Sequence, residues 1–143
     1  MSGLDKLFSG MRSTSLGLSA ERVRMDTIAQ NIANARTTKT ADGGPYRRQM
    51  VRFEPVIQHD EAGNITAMGV RAAEVVKDYA TPMERIYNPA SPDAGPDGYV
   101  EMPNVSATAE MADLVTAMRA YEANISAQEN FTRMAERALQ IAR

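Results

Sequence analysis

The chain has 143 residues and a formal net charge of −2, from 16 Lys+Arg and 18 Asp+Glu, with no cysteine. That length is one ordinary domain. The missing cysteines exclude disulfides, thiolate metal sites and a cysteine nucleophile, and no segment is basic enough to argue for nucleic acid or an anionic membrane. No stretch reaches the ~18 apolar residues of a membrane span, and the start, Met1-Ser2-Gly3-Leu4-Asp5-Lys6, lacks the basic and apolar regions of a cleaved signal.

Residues 3–34 read as one helix. Leu4, Met11, Leu18, Met25 and Ile32 recur at a strict spacing of seven, the period of a coiled-coil seam, and Ile28 widens the stripe. Gly10 and Gly17 lie inside it, each costing up to ~1 kcal/mol relative to alanine, so this helix depends on partners.

The middle has another texture. All seven prolines lie between Pro45 and Pro103. Asp42-Gly43-Gly44-Pro45 signals a turn. Gln49, Val51 and Phe53 alternate with Met50 and Arg52, as in a strand. Glu61-Ala62-Gly63-Asn64 reads as a turn before a second strand from Ile65 to Val76, which predicts a small β-hairpin. Pro82 to Gly98, rich in Pro, Gly, Asn and Asp, reads as an extended arm, either an ordered loop or a linker.

Residues 105–142 return to helix, with Ser106 as N-cap and Glu110 near the positive end of the helix dipole. Met111, Met118, Ile125, Thr132 and Leu139 repeat the spacing of seven, flanked by Leu114 and Tyr121. A second apolar face carries Phe131, Met134 and Ile141. A helix apolar on two faces contacts more than one neighbour. At ~1.5 Å per residue the two helices span about 48 and 55 Å, too long for the middle to cover. The expected fold is mainly α: an antiparallel coiled-coil pair of terminal helices with a β-hairpin unit and an extended Pro/Gly-rich arm between them. The expected divisions are 1–36, 37–104 and 105–143.

No catalytic or metal site emerges. His59 is the single histidine and lies beside Asp60 and Glu61 at an expected turn, a poor metal ligand alone. Asp93-Ala94-Gly95-Pro96-Asp97-Gly98 lacks the third acid and the twelfth-position Glu of a calcium loop. No P-loop or dinucleotide fingerprint occurs. An enzyme is not expected, nor any cofactor. The methionines fall mostly on the apolar rows and read as adaptable packing. Arg47, Arg48 and Arg52 form the densest basic cluster, either a solvated strand face or a polar contact between subunits. Asn31, Asn34 and Asn124 are either exposed or buried amides that fix helix register.

The stretch Ala29-Gln30-Asn31-Ile32-Ala33-Asn34-Ala35 resembles the NxAN signature of bacterial flagellar rod and hook proteins. Asp42-Gly43-Gly44-Pro45-Tyr46-Arg47-Arg48 and Gly98-Tyr99-Val100-Glu101-Met102-Pro103-Asn104-Val105 are similar to motifs of the C-type proximal rod family. The likeness continues through Glu110-Met111, Ala117, Arg119, Tyr121, Ala123 and Asn124. Ala35-Arg36-Thr37-Thr38-Lys39-Thr40 lacks the TPGY turn of hook-type members, which favours the C-type.

The resemblance implies a structural subunit of the flagellar basal body, exported without a cleaved signal into the periplasm-spanning rod. It implies assembly through the terminal helices into a hollow shaft that transmits rotation. The implied partners are other copies, other proximal and distal rod subunits, and components of the rod base and export gate, with no nucleic acid and no direct membrane insertion. The alternatives are another axial subunit, B-type or distal, and an unrelated coiled-coil adaptor.

Overall fold

The computed structural model describes residues 3–59, 63 and 65–141. Helix α1 runs Gly3–Ala33 and helix α2 Ala107–Ile141. Between them lie β1 (Gln49–His59), β2 (Ile65–Lys77), β3 (Glu84–Tyr87) and β4 (Tyr99–Met102). No described helix is long and apolar enough to cross a membrane.

The helices run antiparallel along each other. Gly10 meets Phe131, Thr14 donates to Gln128, Gly17 meets Asn124 and Asn31 donates to Glu110. Small residues permit this approach. A Cβ on Gly10 would lie 2.5 Å from Phe131 Cζ, and one on Gly17 would lie 3.1 Å from Asn124 Nδ2. Ala117 in α2 is fully buried.

Strands β1 and β2 form an antiparallel hairpin with register shifts at Arg52/Phe53 and Gln58/His59. Such bulges bend and twist a ribbon. The expected turn Glu61-Ala62-Gly63-Asn64 lies, apart from Gly63, outside the described residues. The hairpin packs against α1, where Gly69 lets the strand approach Leu16 and Ser13. Arg12 in α1 donates to Gln58 near the hairpin tip (2.6 Å).

The segment expected as an extended arm holds a second hairpin. Strands β3 and β4 pair antiparallel, Glu84 opposite Met102 and Tyr87 opposite Tyr99. The rings of Tyr87 and Tyr99 meet edge to face at 5.2 Å, and Arg85 stacks over Tyr99 while pairing with Asp97. Gly98, at φ +77°, closes the loop where a Cβ would lie 2.8 Å from Tyr87. Four-residue strands, one of them exposed throughout, carry too little alternation to announce themselves.

The apolar core is small: Ala20, Ile28, Val100 and Ala117 are the buried hydrophobic residues among those described. Thr27, Asn31, Asp78, Asn104 and Glu110 are buried polar groups beside it.

Candidate functional site

Buried polar groups are costly unless hydrogen-bonded, and here they bond to one another across segments far apart in sequence. Asn31, on the last turn of α1, is 1% exposed. Its Nδ2 donates to the Gln49 carbonyl (2.8 Å) and to Glu110 Oε2 (2.9 Å). Its Oδ1 accepts from the Tyr46 hydroxyl and the Gln49 N–H, both at 2.9 Å. Two donors and two acceptors exhaust the capacity of an amide side chain.

Glu110, one helical turn into α2, is also 1% exposed and takes Arg48 Nε on its other oxygen at 2.6 Å. The Arg48 guanidinium also reaches Asp113 (3.5 Å) and Asp78 (4.0 Å). An Asn there would lack the charge that faces Arg48 Nε, and an apolar residue would leave Arg48 Nε and one Nδ2 hydrogen of Asn31 without their partner. Ser106 caps α2 by accepting from the Ala109 N–H (3.4 Å), which starts the helix where Glu110 falls on the inner face.

Asn104 ties in the second hairpin. Its Oδ1 accepts the Arg48 N–H (2.8 Å), and its Nδ2 donates to the carbonyls of Asp78 and Thr81, both at 3.1 Å. The Asp78 carboxylate accepts from the Thr81 N–H, the Thr81 hydroxyl and the Ala80 N–H. These bonds, led by the Thr81 N–H, hold its pKa below the usual carboxylate range. Burial, and then the negative Glu110, push the Tyr46 phenol upward. Arg47 donates to the Asp78 carbonyl (3.1 Å) and lies 4.6 Å above the Tyr79 ring. Five chain segments thus converge on one latch: the end of α1, residues 46–49, residues 78–81, residues 103–104 and the start of α2.

Of the motif residues from sequence, Asn31, Tyr46, Arg47, Asn104 and Glu110 meet in this latch. Pro103 is buried beside Asn104, and Pro45 is half-buried where Gly43 and Gly44 turn the chain at positive φ. Asn34 instead closes the end of α1, donating to the Gln30 carbonyl (2.9 Å) and accepting from Thr37 (3.1 Å). Tyr99 belongs to the second hairpin, Arg119 is exposed on α2, and Asn124 packs on Gly17. Asp78 carried no sequence signal, because a lone Asp between two predicted extended segments is indistinguishable from a turn residue. His59 is exposed at the end of β1, and Asp60 and Glu61 lie outside the described residues.

The apolar rows lie elsewhere. The positions that join α1 to α2 are Gly10, Gly17 and Asn31 against Phe131, Asn124 and Glu110, spaced by seven or fourteen. Met11, Leu18 and Ile32 directly follow Gly10, Gly17 and Asn31, with Met25 continuing their spacing of seven, and Met111, Met118 and Ile125 directly follow Glu110, Ala117 and Asn124. One position turns a helix by about 100°. In an antiparallel pair that rotation carries both rows to the same side. The β1–β2 hairpin occupies the other side, through Ser13 and Leu16. Met11, Leu18, Met25 and Ile32 are half-buried, whereas Met111, Met118 and Ile125 are 54%, 46% and 37% exposed. Ile28 is buried, and Leu114 and Tyr121 are half-buried along the α1 side. Leu139, Met134 and Ile141 are exposed near the end of α2, and Phe131 is half-buried over Gly10. The side chain of Leu4 lies outside those described.

A latch that joins the inner ends of the two terminal helices, beside an apolar face that no described element covers, defines a helical structural subunit. Residues 11–39 match the family of flagella basal body rod proteins, and residues 97–141 match the C-terminal family of the flagellar basal body rod FlgEFG proteins. The basal-body rod protein FlgC of Borreliella burgdorferi is 42% identical, covering 94% of this chain and 97% of that relative. FlgC of Bacillus subtilis is 34% identical over 95% and 98%, and FlgC of Salmonella typhimurium 40% over 76% and 77%. The chain belongs to the FlgC family and is a structural subunit of the flagellar basal-body rod. The two matched regions supply Asn31 on one side of the latch and Asn104 and Glu110 on the other, while Tyr46, Arg47 and Arg48 lie between them.

Proposed function

We propose that the chain is a proximal rod subunit whose terminal helices pair as a coiled coil and assemble with those of neighbouring axial subunits into a hollow shaft that transmits motor rotation. The observation that carries this reading is the uncovered face on which the apolar rows of both helices stand side by side. A monomer cannot bury it, and heterologous contacts repeated head to tail generate an open helical array. Residues 1–36 and 105–143 are the assembly helices, and 37–104 is the unit that latches them together. The neighbours are further copies, other proximal and distal rod subunits, and components at the rod base and export gate. Export proceeds without a cleaved signal, and the role is mechanical rather than catalytic.

The test is deletion of the gene with complementation. Loss of swimming with unimpaired growth, restored by the intact chain and accompanied by its recovery in purified basal bodies, is the expected result. Normal swimming of the deletion strain, or absence of the chain from purified basal bodies, contradicts the reading.

A further inference from the structure

The chain contains two Asp–Gly dipeptides, Asp42–Gly43 and Asp97–Gly98, and no Asn–Gly. An aspartate before glycine is prone to close into a succinimide, because glycine has no Cβ to shield its nitrogen. The two dipeptides stand in different surroundings. Asp42 lies on the exposed turn before Tyr46. Its side chain is 84% exposed and pairs, among the described residues, only with the Lys77 ammonium (3.5 Å), an ion pair open to water. A Cβ on Gly43 would meet nothing within 4 Å. The Gly43 N–H bonds to the Thr40 carbonyl (3.0 Å), and exposed turn bonds of this kind open locally at small cost.

Asp97 is tethered instead. Its carboxylate accepts from the Tyr99 N–H (3.3 Å) and from Arg85, whose guanidinium also lies over the Tyr99 ring. The Tyr99 bond, followed by the Arg85 bond, holds its pKa below the usual carboxylate range. An ionised carboxylate is a poor electrophile, having no hydroxyl to lose. A Cβ on Gly98 would lie 2.8 Å from Tyr87 and 3.4 Å from Pro89, so this dipeptide has little room to turn. The Gly98 N–H is bonded as well, to the Gly95 carbonyl (2.9 Å), so the carboxylates and their surroundings distinguish the two sites, not the amides.

We propose that Asp42–Gly43 is a site of spontaneous isoaspartate formation in the folded chain, and that the same dipeptide at Asp97–Gly98 is held against it. The Gly43 nitrogen attacks Cγ of the protonated Asp42 side chain. The N–Cγ bond forms, and the carboxyl hydroxyl leaves with the amide proton as water. Water then adds to the main-chain carbonyl carbon of Asp42 and breaks its bond to the Gly43 nitrogen. The backbone now runs through Cβ and Cγ, one carbon longer, and the freed α-carboxyl becomes the side group. Mass is unchanged, and no oxidant is needed. The added carbon enters a turn whose bonds, from the Thr40 N–H to the Gly44 carbonyl (2.8 Å) and from the Tyr46 N–H to the Thr37 carbonyl (2.9 Å), set where Tyr46 and Arg48 enter the latch. The modified chain therefore loses stability through the latch.

The test ages the purified full-length chain for weeks in mildly acidic buffer, folded, and in parallel unfolded in urea. Methylation by an L-isoaspartyl methyltransferase measures the product, and electron-transfer fragmentation of peptides locates it. In the folded chain, isoaspartate at position 42 should exceed that at position 97 at least tenfold, whereas in urea the two should agree within threefold. Asp42→Glu, which would need a six-membered ring, should remove the folded-chain signal. Arg85→Ala should raise isoaspartate at position 97 at least threefold. The modified fraction, isolated from the aged chain, should unfold at lower urea than the unmodified fraction. Equal isoaspartate at both positions of the folded chain, or none at position 42 while the unfolded chain forms it, overturns the proposal. No rise at position 97 in Arg85→Ala overturns the protection of Asp97, and an unchanged urea midpoint overturns the link to the latch.

Discussion

Asn31 shows how one side chain can hold a fold whose apolar core is small. Replacing it with alanine leaves the Gln49 N–H, the Tyr46 hydroxyl and one oxygen of Glu110 without their partner. Each buried orphan costs roughly 1–3 kcal/mol. Asn31→Ala should therefore lower unfolding free energy by about 3 kcal/mol or more in urea titrations, while Tyr46→Phe, which removes a single bond, should cost about 1 kcal/mol. Asp78 adds a pH dependence. Its pKa is held down in the folded chain by the Thr81 bonds. Its stabilising contribution is therefore complete above the ordinary carboxylate pKa and is lost as pH falls through the depressed folded-state value. The urea midpoint should fall on acidification, and Asp78→Asn should flatten that part of the profile.

At the scale of elements, the period of seven in each helix was legible from sequence, but not the offset between the apolar row and the contact row. Hydrophobicity marks the positions that must leave water somewhere. It does not distinguish burial within the chain from burial between chains. The intrachain row reads Gly10, Gly17, Asn31, and its partner Glu110, Ala117, Asn124, Phe131: small and polar residues that a hydrophobic scan passes over. Close backbone approach and a satisfied amide replace apolar bulk there. Gly10→Ala tests that packing. Alanine adds up to about 1 kcal/mol of helix propensity, but its Cβ would stand 2.5 Å from the Phe131 ring. Overpacking costs about 1–3 kcal/mol. A net loss of thermal stability is expected, with at least half recovered when Phe131→Leu is added.

The first hairpin was readable because Gln49, Val51 and Phe53 alternate along a long strand. The second was not, because β3 and β4 are four residues each and their stability comes from Tyr87, Tyr99 and Arg85 packing on one another rather than on a core. Five of the motif residues carried by the family resemblance meet in the latch, while Asn34, Tyr99, Arg119 and Asn124 lie elsewhere. Asn31, Tyr46, Arg47, Asn104 and Glu110 are dispersed in sequence, and no spacing rule brings them together.

Across the whole molecule, the latch and the apolar rows divide the work. The latch organises the five segments within one chain, and on the proposed reading the rows are left for neighbours. An aspartate on a row should accordingly spare the fold and destroy the assembly, because an unpaired charge is tolerated in water and not in a buried seam. The most direct test is to introduce Ile125→Asp, and separately Leu18→Asp, and measure both the urea midpoint of the purified chain and the assembly of rods in cells. The expected result is a fold that survives with a small loss of stability, about 1 kcal/mol or less for the more exposed Ile125, together with loss of rods and swimming. Normal swimming in either variant, or unfolding of the Ile125→Asp chain to the extent seen with Asn31→Ala, would contradict the assignment of these rows to neighbouring subunits.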